Sequence, residues 1–145
     1  MSETYRKGAH SVYDIQYHFV WVTKYRYHVL KGEVAQRARE LIRQTCESRS
    51  ITILKGHVSK DHIHLHVSMS PELSPSKAIQ YVKGRSSRLI QQEFSHIRRR
   101  YWGQHLWARG YFCATVGKVT EKMLAAYIEQ QEKAPPKDVF KVSDD

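Results

Sequence analysis

At 145 residues the chain is long enough for one hydrophobic core and too short for two ordinary domains. Its apolar content of 41% excludes a disordered chain, and its two cysteines, Cys46 and Cys113, lack the spacing of a disulfide framework or a zinc knuckle, the pattern of a reducing cytoplasm. Lysine and arginine number 24 against 14 acidic residues, and a net charge of +10 favours a polyanionic partner, because basic side chains displace the counterions condensed on phosphate backbones.

From Val12 to Thr23 the residues are β-branched and aromatic without glycine or proline, which predicts a long strand. The basic, aromatic KYRYHVLKG reads as a loop. Apolar residues at Val34, Ala38, Leu41, Ile42 and Cys46 recur at helical spacing and predict a helix over 33–47. ITILKGHVSKDHIHLHVSM predicts two strands separated near 59–61 by a polar turn. Ser74 and Pro75 suit the cap and first position of a second helix, which runs through KAIQYVKGRSSRLIQQEF with Gly84 as a weak point. HIRRRYWGQ is a basic connector, and LWARGYFCATVG a last strand or strand pair around Gly110. Thr120 caps a third helix, EKMLAAYIEQQEK, and Pro135 and Pro136 stop it. The whole of 1–145 reads as one domain, with 1–10 and 134–145 as arms. No run is apolar enough for a signal peptide or a membrane span, so a soluble protein without a membrane partner is expected. The element order predicts an α+β fold, a ferredoxin-like antiparallel sheet with helices packed on it and one further helix at the C-terminus. RNA-binding modules share that order, so a non-enzymatic nucleic-acid-binding module stays open on fold alone.

Two short segments carry chemistry. In Asp61-His62-Ile63-His64-Leu65-His66-Val67, strand alternation puts His62, His64 and His66 on one face and the aliphatic residues on the other. Imidazoles about 7 Å apart along a strand can converge on one divalent ion. A polar sheet face would produce the same pattern. In Tyr127-Ile128-Glu129-Gln130-Gln131, Tyr127 and Gln131 share one helix face. A phenol is a usable nucleophile for phosphoryl transfer when a cation polarises the phosphate, and a carboxamide one turn away suits a hard cation. With nine tyrosines in the chain, the pattern acquires meaning only from its context.

That context is a resemblance. VYDIQYHFVWVTKYRY, DHIHLHVSMSPELSPSKAIQYVKGRSSRLI and LWARGYFCATVGKVTEKMLAAYIEQQ, in that order, closely resemble the single-tyrosine HUH transposases of the insertion-sequence 200/605 family over nearly the whole chain except its ends. By position, the resemblance implies that His62 and His64 are the metal ligands, Tyr127 the nucleophile and Gln131 a third ligand. It implies Mg²⁺ or Mn²⁺ as cofactor and single-stranded, hairpin-forming element ends as substrate. It also implies a 5′-phosphotyrosine intermediate, and a homodimer in which the tyrosine helix can serve the partner's active site. Such an enzyme acts on the DNA of a prokaryotic cytoplasm. His66 stands where the family more often has an apolar residue, and Lys60 where it often has proline.

The expected DNA track comprises Lys24 and Arg26 after the first strand, Lys83, Arg85 and Arg88 on the second helix, and Arg98 and Arg99 in the connector. Tyr25, Tyr27, Trp102 and Trp107 are candidates for stacking on unpaired bases. A histidine phosphodiesterase with two H-x-[ST] motifs is disfavoured, since His66-Val67-Ser68 occurs without a second copy.

Overall fold

The structure, a computed structural model, describes residues 6–7, 12–115 and 121–131. The elements in chain order are β1 (Arg6–Lys7), β2 (Val12–Tyr13), β3 (Gln16–Val22), α1 (Gly32–Ser48), β4 (Thr52–Val58), β5 (His62–Ser68), α2 (Pro75–Glu93), α3 (Ser95–Arg100), β6 (Phe112–Thr115) and α4 (Glu121–Glu129). The main sheet has the order β4-β5-β3-β6 with every neighbouring pair antiparallel. This is the ferredoxin-like arrangement the element order predicts, with α4 added after it.

Three boundaries differ from the sequence expectation. The long first strand breaks at Asp14-Ile15: β2 pairs with β1 in a small separate ribbon, and β3 alone enters the main sheet. The basic connector contains a short helix, α3, whose Ile97 is buried in the core. Within the described part of LWARGYFCATVG, residues 106–115, the strand is Phe112–Thr115, and before it Gly110 turns the chain at φ 87°, a left-handed conformation in which a side chain would be strained. Thr120, Pro135, Pro136 and the expected arm at 134–145 lie outside the described residues.

The core lies between one sheet face and the helices α1 and α2. Phe19, Trp21, Ile63, Leu65 and Val67 point into it, against Val34, Ala38, Leu41 and Ile42 of α1 and Ala78, Ile79, Val82 and Ile90 of α2. The apolar stripe of α1 therefore does what its spacing predicts. Ser74 caps α2, its hydroxyl accepting from the Lys77 amide at 3.1 Å. The helix runs unbroken through Gly84, since packing against α1 outweighs one weak helix former.

Candidate active site

With one sheet face filled by α1 and α2, the side chains of alternate parity stand on the other. On β5 these are His62, His64 and His66. Register adds their neighbours: His18 lies opposite His66, Val20 opposite His64 and Val22 opposite His62 on β3. His57 lies opposite His64 and Lys55 opposite His66 on β4, and Phe112 of β6 lies opposite Val20. Directly opposed residues share a face, so the histidine strand lies between His18, His57 and Lys55 and the apolar side chains of Val20, Val22 and Phe112.

His62 is held from behind. Its Nδ1 donates to Oδ1 of Asp61 at 2.8 Å, which fixes the tautomer and leaves Nε2 with a lone pair for a cation. Asp61 is 6% exposed. Burial pushes its carboxyl upward, but the hydrogen bonds from His62 and Arg26 more than offset this and hold it below the ordinary carboxylate range. His64 meets His18, Nε2 to Nδ1, at 3.0 Å. The His18 ring is stacked against His64 at 5.3 Å and against His66 at 4.3 Å between centroids. Burial, then the neighbouring cationic forms of His18, His66, Lys55 and His57, lower the His64 pKa; burial likewise lowers His18 and His66. These rings are thus neutral near pH 7, the form in which imidazole ligates a metal. Nε2 of His66 donates to Oε1 of Gln16 at 2.9 Å, so that nitrogen is occupied within the sheet.

Over this face lies α4, packed against β3. The ring of Tyr127 is half-buried, with its centroid 5.7 Å from that of Phe112, on the histidine side of the sheet. Burial raises its phenol pKa. Gln131 donates through Nε2 to the Tyr127 carbonyl at 3.1 Å, which turns the amide back along its own helix. The structure thus brings His62, His64 and the Tyr127 helix to one side of the sheet. Among the described residues, no three His, Cys, Asp or Glu side chains converge closely enough to hold an ion by themselves.

The basic residues divide. Arg26 is drawn inward, Nε donating to Asp61 at 3.0 Å and Nη1 to the Ile128 carbonyl at 3.2 Å. Arg85 reaches across to α1, where Nη1 meets Thr45 Oγ1 at 3.3 Å and Nη2 meets Gln44 Oε1 at 3.3 Å. Lys83 donates to the carbonyls of Ala108 and Gly110 at 2.9 and 2.8 Å, and burial pulls its pKa down to about 8. Next to it, Ser86 accepts from Trp107 Nε1 at 3.0 Å and Ser87 from the Leu106 amide at 3.2 Å. The K-G-R-S-S-R and W-A-R-G-Y-F segments, distant in sequence, therefore form one unit in which the helix clamps the loop. Arg88 is exposed, and with Lys24, Lys83, Arg98 and Arg109 it lines an open groove of about 970 Å³. Arg99 is exposed on α3. Trp102, at φ 56°, is 87% exposed near the groove, whereas Trp107 is buried at 4%.

Sequence reading missed His18, Arg109 and the inward turn of Arg26. His18 shares the parity of Gln16, Val20 and Val22, but that strand offers no second histidine, so only the pairing register reveals its role. Arg109 sits inside the W-A-R-G segment, whose basic residue looks in sequence like any other surface arginine.

The open face of this ferredoxin-like sheet thus bears histidines and is covered by a helix that presents a tyrosine. In fold, the chain matches a crystal structure from Deinococcus radiodurans R1 described as a candidate transposase, with a TM-score of 0.83, 32% identity, and coverage of 89% of this chain and 99% of that one. It shares the fold, at a TM-score of 0.54 and 16% identity, with a REP-associated tyrosine transposase bound to a REP hairpin, covering 89% of this chain and 69% of that one. In sequence it is 34% identical to the transposase for insertion sequence element IS200 of Salmonella typhimurium, over 85% of this chain and 80% of that protein. It is 32% identical to the ISDra2 transposase TnpA of Deinococcus radiodurans, over 87% and 90%. The family model for IS200-like transposases matches residues 11–131, and the chain belongs to that family.

Proposed function

We propose that this transposase cleaves and rejoins single-stranded DNA at insertion-sequence ends, with Tyr127 as the nucleophile and His62, His64 and Gln131 as ligands of Mg²⁺ or Mn²⁺. The observation that carries this reading is the placement of Tyr127 over the sheet face that presents His62, whose Nε2 is left available by the bond from Nδ1 to Asp61. The donor set fits a divalent cation: two imidazoles, one of them backed by a carboxylate, and a carboxamide whose nitrogen is turned to the backbone so that its oxygen would be the atom offered to the cation. When bound, the cation would polarise the scissile phosphate and offset charge developing on its oxygens.

The Tyr127 oxygen attacks phosphorus. The bond to the 3′-oxygen breaks, that oxygen leaves as a 3′-hydroxyl after taking a proton, and the phenol proton passes to solvent. The product is a 5′-phosphotyrosine. A 3′-hydroxyl from another strand reverses the step and joins new ends, so no nucleotide triphosphate is required. Lys24, Arg88, Arg98 and Arg109 line the groove that would carry the DNA backbone, with Arg99 at its approach and Trp102 presented for stacking. Lys83 and Arg85 act on the DNA indirectly, by holding the groove wall. A hairpin fits as the folded form of the substrate, as in the REP-associated relative of like fold. A homodimer in the cytoplasm, in which the tyrosine helix can serve either subunit, belongs to the same reading; in the described chain the helix lies on its own sheet. A purely binding module is the weaker reading, because the open faces of the central strands carry a cluster of histidines with Val20 and Val22 where a base-stacking platform presents Phe or Tyr.

The test uses labelled single-stranded oligonucleotides of the element ends with Mg²⁺. A denaturant-resistant covalent adduct is expected from the wild type and none from Tyr127→Phe. An adduct that persists in Tyr127→Phe, or equal cleavage of the same ends as duplex, would overturn the proposal.

A further inference from the structure

Tyr25 and Arg26 are consecutive non-glycine residues in the left-handed region, at φ 62° and 55°. Residues with side chains hold that conformation only where their surroundings impose it. Here they do. The Lys24 amide donates to the Leu106 carbonyl at 2.8 Å, the Arg26 amide to the Thr23 carbonyl at 2.9 Å, and the Tyr101 hydroxyl to the Lys24 carbonyl at 3.3 Å. Tyr27 lies against Tyr101, with the Arg100 guanidinium 3.8 Å from its ring centroid. Contacts within the turn, with Leu106, and with Arg100 and Tyr101 at the end of α3 thus fix a conformation whose outcome is to aim one arginine into the protein rather than into solvent.

The Arg26 side chain is 14% exposed and joins two groups from distant parts of the chain. Its Nε donates to Oδ2 of Asp61, whose other oxygen accepts from Nδ1 of His62. Its Nη1 donates to the Ile128 carbonyl, one residue beyond Tyr127 and in the last turn of α4. That last turn contains no basic residue of its own. Arg26 therefore supplies from outside the cation that the carbonyl end of a helix attracts. The guanidinium meets the two acceptors from separate nitrogens, Nε and Nη1, held in one plane, whereas a lysine would have to reach both from the single Nζ.

We propose that Arg26 is a positioning residue that latches the tyrosine helix to the carboxylate behind His62, so that nucleophile and ligand are seated together. This rests on the roles given above to Tyr127 and His62. The competing account is that Arg26 does no more than neutralise buried Asp61, and lysine separates the two, since it keeps the charge and loses the fork.

The experiment compares the full chain with Arg26→Gln and Arg26→Lys. Hydrogen exchange over 121–131 is measured without metal, Mn²⁺ affinity by electron paramagnetic resonance, and folding by thermal melting. In Arg26→Gln, exchange across the helix rises about tenfold while α1 and α2 stay protected, and Mn²⁺ affinity falls about tenfold, the usual scale for losing an outer-shell partner. In Arg26→Lys, Mn²⁺ affinity stays within about threefold of the wild type, because charge on Asp61 is still balanced, yet the helix exchanges as fast as in Arg26→Gln. Adduct formation by Arg26→Lys slows at saturating oligonucleotide with half-saturation unchanged. Unchanged exchange in both variants overturns the latch, as does lysine restoring both readouts. Should Arg26→Gln lose cooperative melting, the exchange of Arg26→Lys decides alone. Failure of the wild type to bind Mn²⁺ would count against the metal reading; the exchange measurement, which uses no metal, still decides the latch.

Discussion

His18 shows how a residue without a motif acquires a role. Its ring stands between His64 and His66, within hydrogen-bonding distance of the first and stacked on the second. Removing it takes away both the partner and the wall that hold His64 in place. His18→Ala is expected to weaken Mn²⁺ binding about tenfold, the scale on which outer-shell partners of metal-bound histidines act. Titration with Mn²⁺ would show it, and unchanged affinity would mean that His64 is oriented by the sheet alone. His66→Leu is expected to do less, because its Nε2 is bonded to Gln16 and not to either proposed ligand. At this scale strand alternation put His62, His64 and His66 on one face and the resemblance singled out the first two, whereas the sequence was silent about His18, whose partners come from another strand.

Among the elements, the joint between α2 and the 104–110 segment carries the clearest consequence. Lys83, Ser86 and Ser87 take up the backbone of Ala108 and Gly110, the indole of Trp107 and the amide of Leu106. Lys83→Ala strands two carbonyls and is expected to cost about 1–3 kcal/mol, read as a lower midpoint in denaturant titration. The pH dependence has a definite sign. The folded pKa of Lys83, about 8, lies below its ordinary 10.5, so the unfolded chain binds more protons between those values. Stability from this residue therefore increases as pH rises from about 8, and the wild type should gain on Lys83→Ala over that range. If the difference between the two stayed flat, the amine would be charged in the folded protein throughout. Legibility was uneven here as well. The apolar stripe of α1 and the capped start of α2 follow from spacing and cap chemistry. The break at Asp14-Ile15 and the helix α3 do not, because pairing with β1 and burial of Ile97 decide them, and both are tertiary.

On the scale of the whole molecule, the chain carries a net charge of +10, and Lys24, Arg88, Arg98 and Arg109 bring part of its basic surface to one open groove where it can act on a phosphate backbone. Arg88→Gln is expected to weaken single-stranded DNA binding across sequences, and to reduce the slope of log affinity against log salt by up to about one, the mark of one lost phosphate contact. Arg85→Gln should leave that slope unchanged, since its guanidinium is engaged with α1. Equal loss of slope in both would mean that the exposed groove is not the track. What the sequence by itself determined is the order of the principal strands and helices, the histidine strand with its aliphatic underside, the basic balance, and, through the resemblance, the family and the identity of the proposed nucleophile. All of these depend on neighbours within one helix turn or one strand, or on ordered motifs. Tertiary structure alone decided which histidines stand beside His64, which arginines face solvent and which are drawn inside, and that Arg26 stands between Asp61 and the tyrosine helix. The physical reason is that a basic side chain looks the same in sequence whether it meets water or a buried carboxylate, and only packing brings that carboxylate within 3.0 Å of Arg26.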